Sequence, residues 1–216
     1  MKNRRLPPLR ITLVLTLAIF VLSSVFGAAQ AQGINVQKKK SRLQEIADFK
    51  LRGSAKSEFK QFKRKAEFYG AFFANPSENT AGYYYNASSI AVAEDYARSV
   101  CQASSRNPFG CVLYARMLPK KYDPTKPGLT LSRQGNKDFR EYQRLQDPER
   151  YGAFAQSDNG ASGFSWAEHD RDSAAEEALR RCEKAARKLL RKTPQHLRTT
   201  VADPSKQICR VVHRSG

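Results

Sequence analysis

Histidine is the obvious carrier of acid–base or metal chemistry near neutral pH, and this chain has three: His169, His196 and His213. None stands at ligand spacing from another or from a cysteine, so the sequence shows no zinc pattern. His169-Asp170-Arg171-Asp172 reads as the charged approach to a helix capped by Ser173, with Glu176 completing a capping box. No Gly-x-Ser-x-Gly elbow and no phosphate-cradling glycine loop is present. Paired carboxylates could come together on folding, as glycoside hydrolysis requires, a pairing that no sequence spacing shows. The expectation is a non-enzymatic protein with no catalytic residue, metal or cofactor; a hydrolase acting on an envelope polymer ranks third among the functional readings.

The N-terminus carries an export address. Lys2, Arg4, Arg5 and Arg10 precede an apolar run of 16 residues, Ile11 to Phe26, and Ala29-Gln30-Ala31 offers a cleavage site. A run of that length falls short of the roughly 20 residues of a membrane span. Residues 1–31 are therefore expected to be a signal peptide, leaving 185 of the 216 residues from Gln32 onward. The net charge of +18 then falls to +14, because the signal holds four basic residues and no acidic one. The expected compartment is periplasmic or extracellular. There an even number of cysteines (Cys101, Cys111, Cys182 and Cys209) reads as disulfides.

Binding chemistry is concentrated in basic side chains. Lys38 to Glu67 holds 11 Lys or Arg against four acidic residues. Within it Lys38, Lys39, Lys40, Lys63, Arg64 and Lys65 are candidate polyanion contacts. In the second half, Arg180, Lys184, Arg187, Lys188 and Arg191 fall within about 100° of one helical face. Glu176–Arg180, Glu177–Arg181 and Glu183–Arg187 form acid-before-base pairs at i, i+4, leaving Lys184, Lys188, Arg191 and Lys192 without a partner. Such groups are drawn to lipid headgroups, lipopolysaccharide or wall polymers, with an affinity that falls with salt. Nucleic acid is not an expected partner in that compartment. The alternative is a protein-partner module, an inhibitor or accessory subunit, using aromatic strands or the segment between the two halves.

The elements that position these groups come in two similar sets. Tyr69-Gly70-Ala71-Phe72 returns as Tyr151-Gly152-Ala153-Phe154, 82 positions later. Gly82, Ala93, Ala97 and Cys101 return 81 positions later as Gly163, Ala174, Ala178 and Cys182. Each set reads strand, turn, strand, helix, strand. The second turn is the hairpin signal Ser157-Asp158-Asn159-Gly160. Glycine inside a strand marks a bulge or a close backbone approach. The alanines and cysteine, four residues apart, share a helix face narrow enough to lie close on a sheet.

The expected fold is α+β, with two tandem strand–strand–helix–strand units over residues 67–121 and 149–216. Their similarity favours one disulfide in each, Cys101–Cys111 and Cys182–Cys209, among the three possible connectivities. A basic arm, residues 32–66, precedes them. There Leu43, Ile46 and Phe49, then Phe59 and Phe62, step at helical intervals, predicting one or two short helices or else a solvated arm. A connector, residues 122–148, is expected to be ordered around one helix bearing Phe139, Tyr142 and Leu145.

The ordered set of Tyr-Gly-Ala-Phe, a glycine-aromatic strand and an alanine-rich helix ending in cysteine resembles the domain-of-unknown-function 4189 family of exported bacterial proteins. The likeness runs over Tyr69 to Ala74, Gly82 to Asn86 and Ala93 to Cys101. In the second unit it covers Tyr151 to Ala155, Gly163 to Trp166 and Ala174 to Cys182. The chain departs from the family pattern in the 27 positions separating Cys182 from Cys209 and in the extra basic arm. The resemblance implies an exported protein of unassigned activity and brings no catalytic residues with it.

Overall fold

The computed structural model describes residues 33–216 apart from 39, 194–197 and 199–203. Two antiparallel sheets organise it, each clasped between two helices. The first unit contains α1 (Gly53–Lys65), β3 (Gly70–Asn75), β4 (Thr80–Tyr84), α2 (Ile90–Ser104) and β5 (Val112–Pro119). Ahead of them lie β1 (Ile34–Asn35) and β2 (Ser41–Glu45), and after them β6 (Leu129–Thr130). The second unit contains α3 (Arg133–Arg144), β7 (Tyr151–Gln156), β8 (Ser162–Glu168), α4 (Arg171–Lys192) and β9 (Arg210–Ser215). The sheet orders are β2-β5-β3-β4 and β8-β7-β9, while β1 and β6 form a short parallel pair.

In the central strands, alternate residues serve opposite layers, as the two-residue period of a strand requires. Ala71 and Phe73 face α2, packing with Ala93, Ala97 and Cys101. Phe72 faces α1, with Phe59 at 5.1 Å and Phe62 at 5.6 Å between ring centroids. The second unit repeats the arrangement. Ala153 and Ala155 pack with α4 through Ala174, Ala178 and Cys182. Phe154 meets Phe139 at 5.1 Å and Tyr142 at 5.9 Å on α3. The strand register slips at matching places, between Phe72 and Phe73 against β5 and between Phe154 and Ala155 against β9.

The in-strand glycines mark the close approach. A Cβ on Gly82 would lie 2.1 Å from the Cys101 nitrogen, and one on Gly163 would lie 2.2 Å from the Cys182 nitrogen. The small-residue face of each helix therefore rests on strand backbone. Disulfides Cys101–Cys111 and Cys182–Cys209 tie α2 to the approach to β5 and α4 to the approach to β9. By loop entropy the two closures contribute about 3 kcal/mol each.

Three local expectations are corrected. Leu43 lies on a strand, not a helix: residues 41–45 pair antiparallel with 119–115 of β5, and Leu43 packs toward Tyr114 and Met117. The strand holds one apolar residue, too few to show a period of its own, and the available sheet edge decides its conformation. The arm is neither separate nor merely solvated, because α1 buries Ala55, Phe59 and Phe62 as one wall of the first core. Finally, α4 starts before Ser173. Asp170 is the cap and accepts from the Asp172 and Ser173 amides, both at 2.9 Å. A carboxylate receives two amide donors here where a serine hydroxyl at 173 would sit a turn inside the helix. The connector helix is present as α3, capped by the Ser132 hydroxyl.

The units meet through the β7–β8 turn. Tyr84 donates its hydroxyl to the Asn159 carbonyl at 3.1 Å, and the Ser88 amide donates to the Asp158 carbonyl at 3.1 Å. Gly160 adopts φ +91° with no room for a side chain, since a Cβ would stand 2.0 Å from the Asn86 carbonyl oxygen.

Candidate polyanion-binding surface

Strand pairing gathers basic residues at one end of the first sheet. Ser41 pairs with Pro119, and the Lys120 amide donates to the Lys40 carbonyl at 2.8 Å. Gly70, which follows α1 by a short link, pairs with Met117. The start of β2, the end of β5 and the end of α1 therefore share this end, and with them Lys38, Lys40, Lys63, Arg64, Lys65, Lys120 and Lys121. All seven are exposed, and none stands in an ion pair among the described residues. Lys39 lies outside the described residues.

Local physics explains part of this arrangement. Lys63, Arg64 and Lys65 fill the last turn of α1, where cations answer the helix dipole. The Lys63 ammonium also lies 4.9 Å from the Phe59 ring centroid, so its stem helps cover the core. Arg140 of α3 reaches the Gln37 carbonyl at 3.4 Å and brings another cation beside Lys38. The nearby carboxylate of Glu67 is taken by Arg133. Asp123 is held below its ordinary range by hydrogen bonds from the Thr125 hydroxyl and amide.

The α4 candidates Lys184, Lys188, Arg191 and Lys192 are exposed but belong to the other unit, on a helix that packs on β7, β8 and β9. Two of the three predicted acid–base pairs are present: Glu177 with Arg181 at 2.5 Å and Glu183 with Arg187 at 3.8 Å. Arg180 turns instead to Glu177, at 2.7 Å. The hydrogen bond from Arg180, larger than the opposing desolvation, and after it that from Arg181 push the Glu177 carboxyl down to about 2. Lys120 and Lys121 are the members that sequence reasoning missed. Their only signal was a basic pair at a strand end, and nothing local said which strand would run beside it.

The reactive side chains are dispersed. His169 meets Arg150 at 2.7 Å on the surface, and His196 lies outside the described residues. His213 faces the Tyr142 hydroxyl at 3.0 Å, while that hydroxyl donates to Ser215 at 3.1 Å. Desolvation holds the His213 imidazole below its ordinary value. Burial raises both Glu58 on α1 and Asp138 on α3, the latter against hydrogen bonds from Ser162 and Gln134. These two carboxylates occupy separate units. Among the described residues, no three of histidine, cysteine, aspartate and glutamate converge as a metal site.

Together these features define a disulfide-linked α+β protein of two like units with a basic end. Among the described residues no helix is long and apolar enough to cross a membrane. Compared with known protein families, characterised proteins and solved structures, the chain matches none.

Proposed function

We propose that this chain is an exported, non-enzymatic binding module that associates with anionic cell-envelope material through the basic end of its first unit. The observation that carries this reading is that Lys38, Lys40, Lys63, Arg64, Lys65, Lys120 and Lys121, all exposed, lie at the same end of the first sheet. Clustered cations raise the local potential far more than the same charges scattered over a surface. Two disulfides suit an oxidising compartment, where headgroups and wall polymers are the abundant polyanions. Lys39, next to Lys38 and Lys40 in the chain, belongs to the same basic run.

Retention of the purified protein on isolated envelope fractions across a salt series tests the proposal. Glutamine at Lys38, Lys40, Lys63, Arg64, Lys65, Lys120 and Lys121 should abolish the salt-sensitive fraction. Glutamine at Lys184, Lys188, Arg191 and Lys192 should reduce it far less. Retention unchanged by the first set would remove the basic end from the function.

A further inference from the structure

The two units differ in one structural respect that bears on partners. In the first sheet, β5 has β3 on one side and β2 on the other; in the second, β9 has β7 on one side only. The two strands are otherwise superimposable in register. Met117 and Ser215 stand opposite Gly70 and Gly152, Arg116 and Arg214 opposite Ala71 and Ala153, and Ala115 and His213 opposite Phe72 and Phe154. The slip that follows leaves Tyr114 and Val212 in equivalent places. Tyr114 turns its carbonyl outward to accept the Ile46 amide at 2.8 Å. Val212 turns its carbonyl outward in the same place, and Arg214, the counterpart of Arg116, turns its amide and carbonyl outward. Among the described residues no strand receives them.

We infer that the outer edge of β9 is a docking site for an extended, acidic segment of a partner protein, which adds to the second sheet as β2 adds to the first. Charge selects the occupant. Arg210 and Arg214 are exposed on this strand, Arg210 leaning toward Asp158 at 3.9 Å and Arg214 toward the Arg171 carbonyl at 3.1 Å. Cations on an edge strand discourage pairing with neutral or basic strands. They favour one that places carboxylates opposite them. A second copy pairing antiparallel through β9 would set Arg210 against Arg214, so self-association is disfavoured by the same charges.

The other edges are less suited. The Arg181 guanidinium wraps the free side of β8, donating to the Phe164 carbonyl at 2.9 Å and lying 4.9 Å from the Trp166 ring centroid. The corresponding strand β4 is an edge in the first unit too, so an unpaired strand there belongs to the common plan of both units. Among the described residues, only β9 lacks a neighbour that its counterpart has.

This inference does not depend on the polyanion reading, and its test uses the chain with the seven residues of the basic end replaced by glutamine, so that capture of the peptide by that end is not mistaken for pairing at the edge. The probe is a capped peptide alternating glutamate with valine, followed by amide hydrogen exchange of the full chain. Binding should slow exchange at the Arg214 amide. Methylating the backbone nitrogens at alternate positions of the peptide, which removes half its donors, should abolish the protection. Arg214→Glu should weaken binding by about fivefold through loss of a cross-strand charge pair. Three outcomes would overturn the inference. The Arg214 amide would already be protected in the free protein, the edge being covered by the chain itself. Alternatively, the methylated peptide would bind as well as its parent, attraction being electrostatic alone, or millimolar peptide would change nothing.

Discussion

Replacing Gly163 with alanine is the sharpest test of how the helices sit. A Cβ there would lie 2.2 Å from the Cys182 nitrogen, 2.6 Å from the Ala178 oxygen and 2.7 Å from the Arg181 carbonyl carbon. All three are backbone atoms of α4, so no side chain can swing aside. Restoring an ordinary contact of about 3.5 Å requires α4 to lift by about 1 Å from β8. That lift thins the packing of Ala174, Ala178 and Cys182 along the whole helix face. Overpacking of a rigid site costs about 1–3 kcal/mol, and loss of the helix contacts places this case at or above the upper end. Removing glycine from a strand returns about 0.5–1 kcal/mol of chain entropy, which is not enough to offset it. A net loss of about 2–3 kcal/mol corresponds to a fall in Tm of about 5–10 °C for a chain of this size. Gly33→Ala is the control, since nothing lies within 4 Å of its added carbon. The assay is urea and thermal unfolding with disulfides intact. A Gly163→Ala protein within about 0.5 kcal/mol of the parent, the range of ordinary surface changes, would refute the close-approach argument.

Two further outcomes follow from the core and its edge. Phe62→Ala empties a fully buried site between α1 and Phe72 and should cost about 3–5 kcal/mol; near-parental urea unfolding would mean that α1 is dispensable to the core. His213 is depressed by desolvation below its ordinary 6.5, so the unfolded chain takes up its proton first as pH falls. Its contribution is complete above about 6.5 and is lost as pH drops toward the lower folded value, so unfolding midpoints should decline over that window. His213→Gln should flatten that decline, and an unchanged pH profile would assign it to other groups.

The readable part of this protein was the part encoded at short range. Gly82 and Gly163 announced a close backbone approach, and the i, i+4, i+8 spacing of small residues announced the helices that fill it. Both disulfides followed from the similarity of the two units, because each joins neighbouring elements of one unit. Phe59 with Phe62 and Phe139 with Tyr142 marked helices correctly, yet not the face of the sheet they would cover. Leu43, Ile46 and Phe49 misled because their three-residue spacing spans the end of a strand and the loop after it, and the strand itself holds one apolar residue.

Sequence alone thus determined the two-unit α+β plan, the cysteine pairing and the charge the protein must place somewhere. Tertiary structure alone decided that β2 joins β5, that α1 is core, and that Lys120 and Lys121 stand beside Lys40. Among the described residues it also left the outer edge of β9 without a neighbouring strand. Local periodicity and turn chemistry are written within a few residues. Pairing between Ser41 and Pro119, 78 positions apart, depends instead on which buried faces and sheet edges the folded chain makes available.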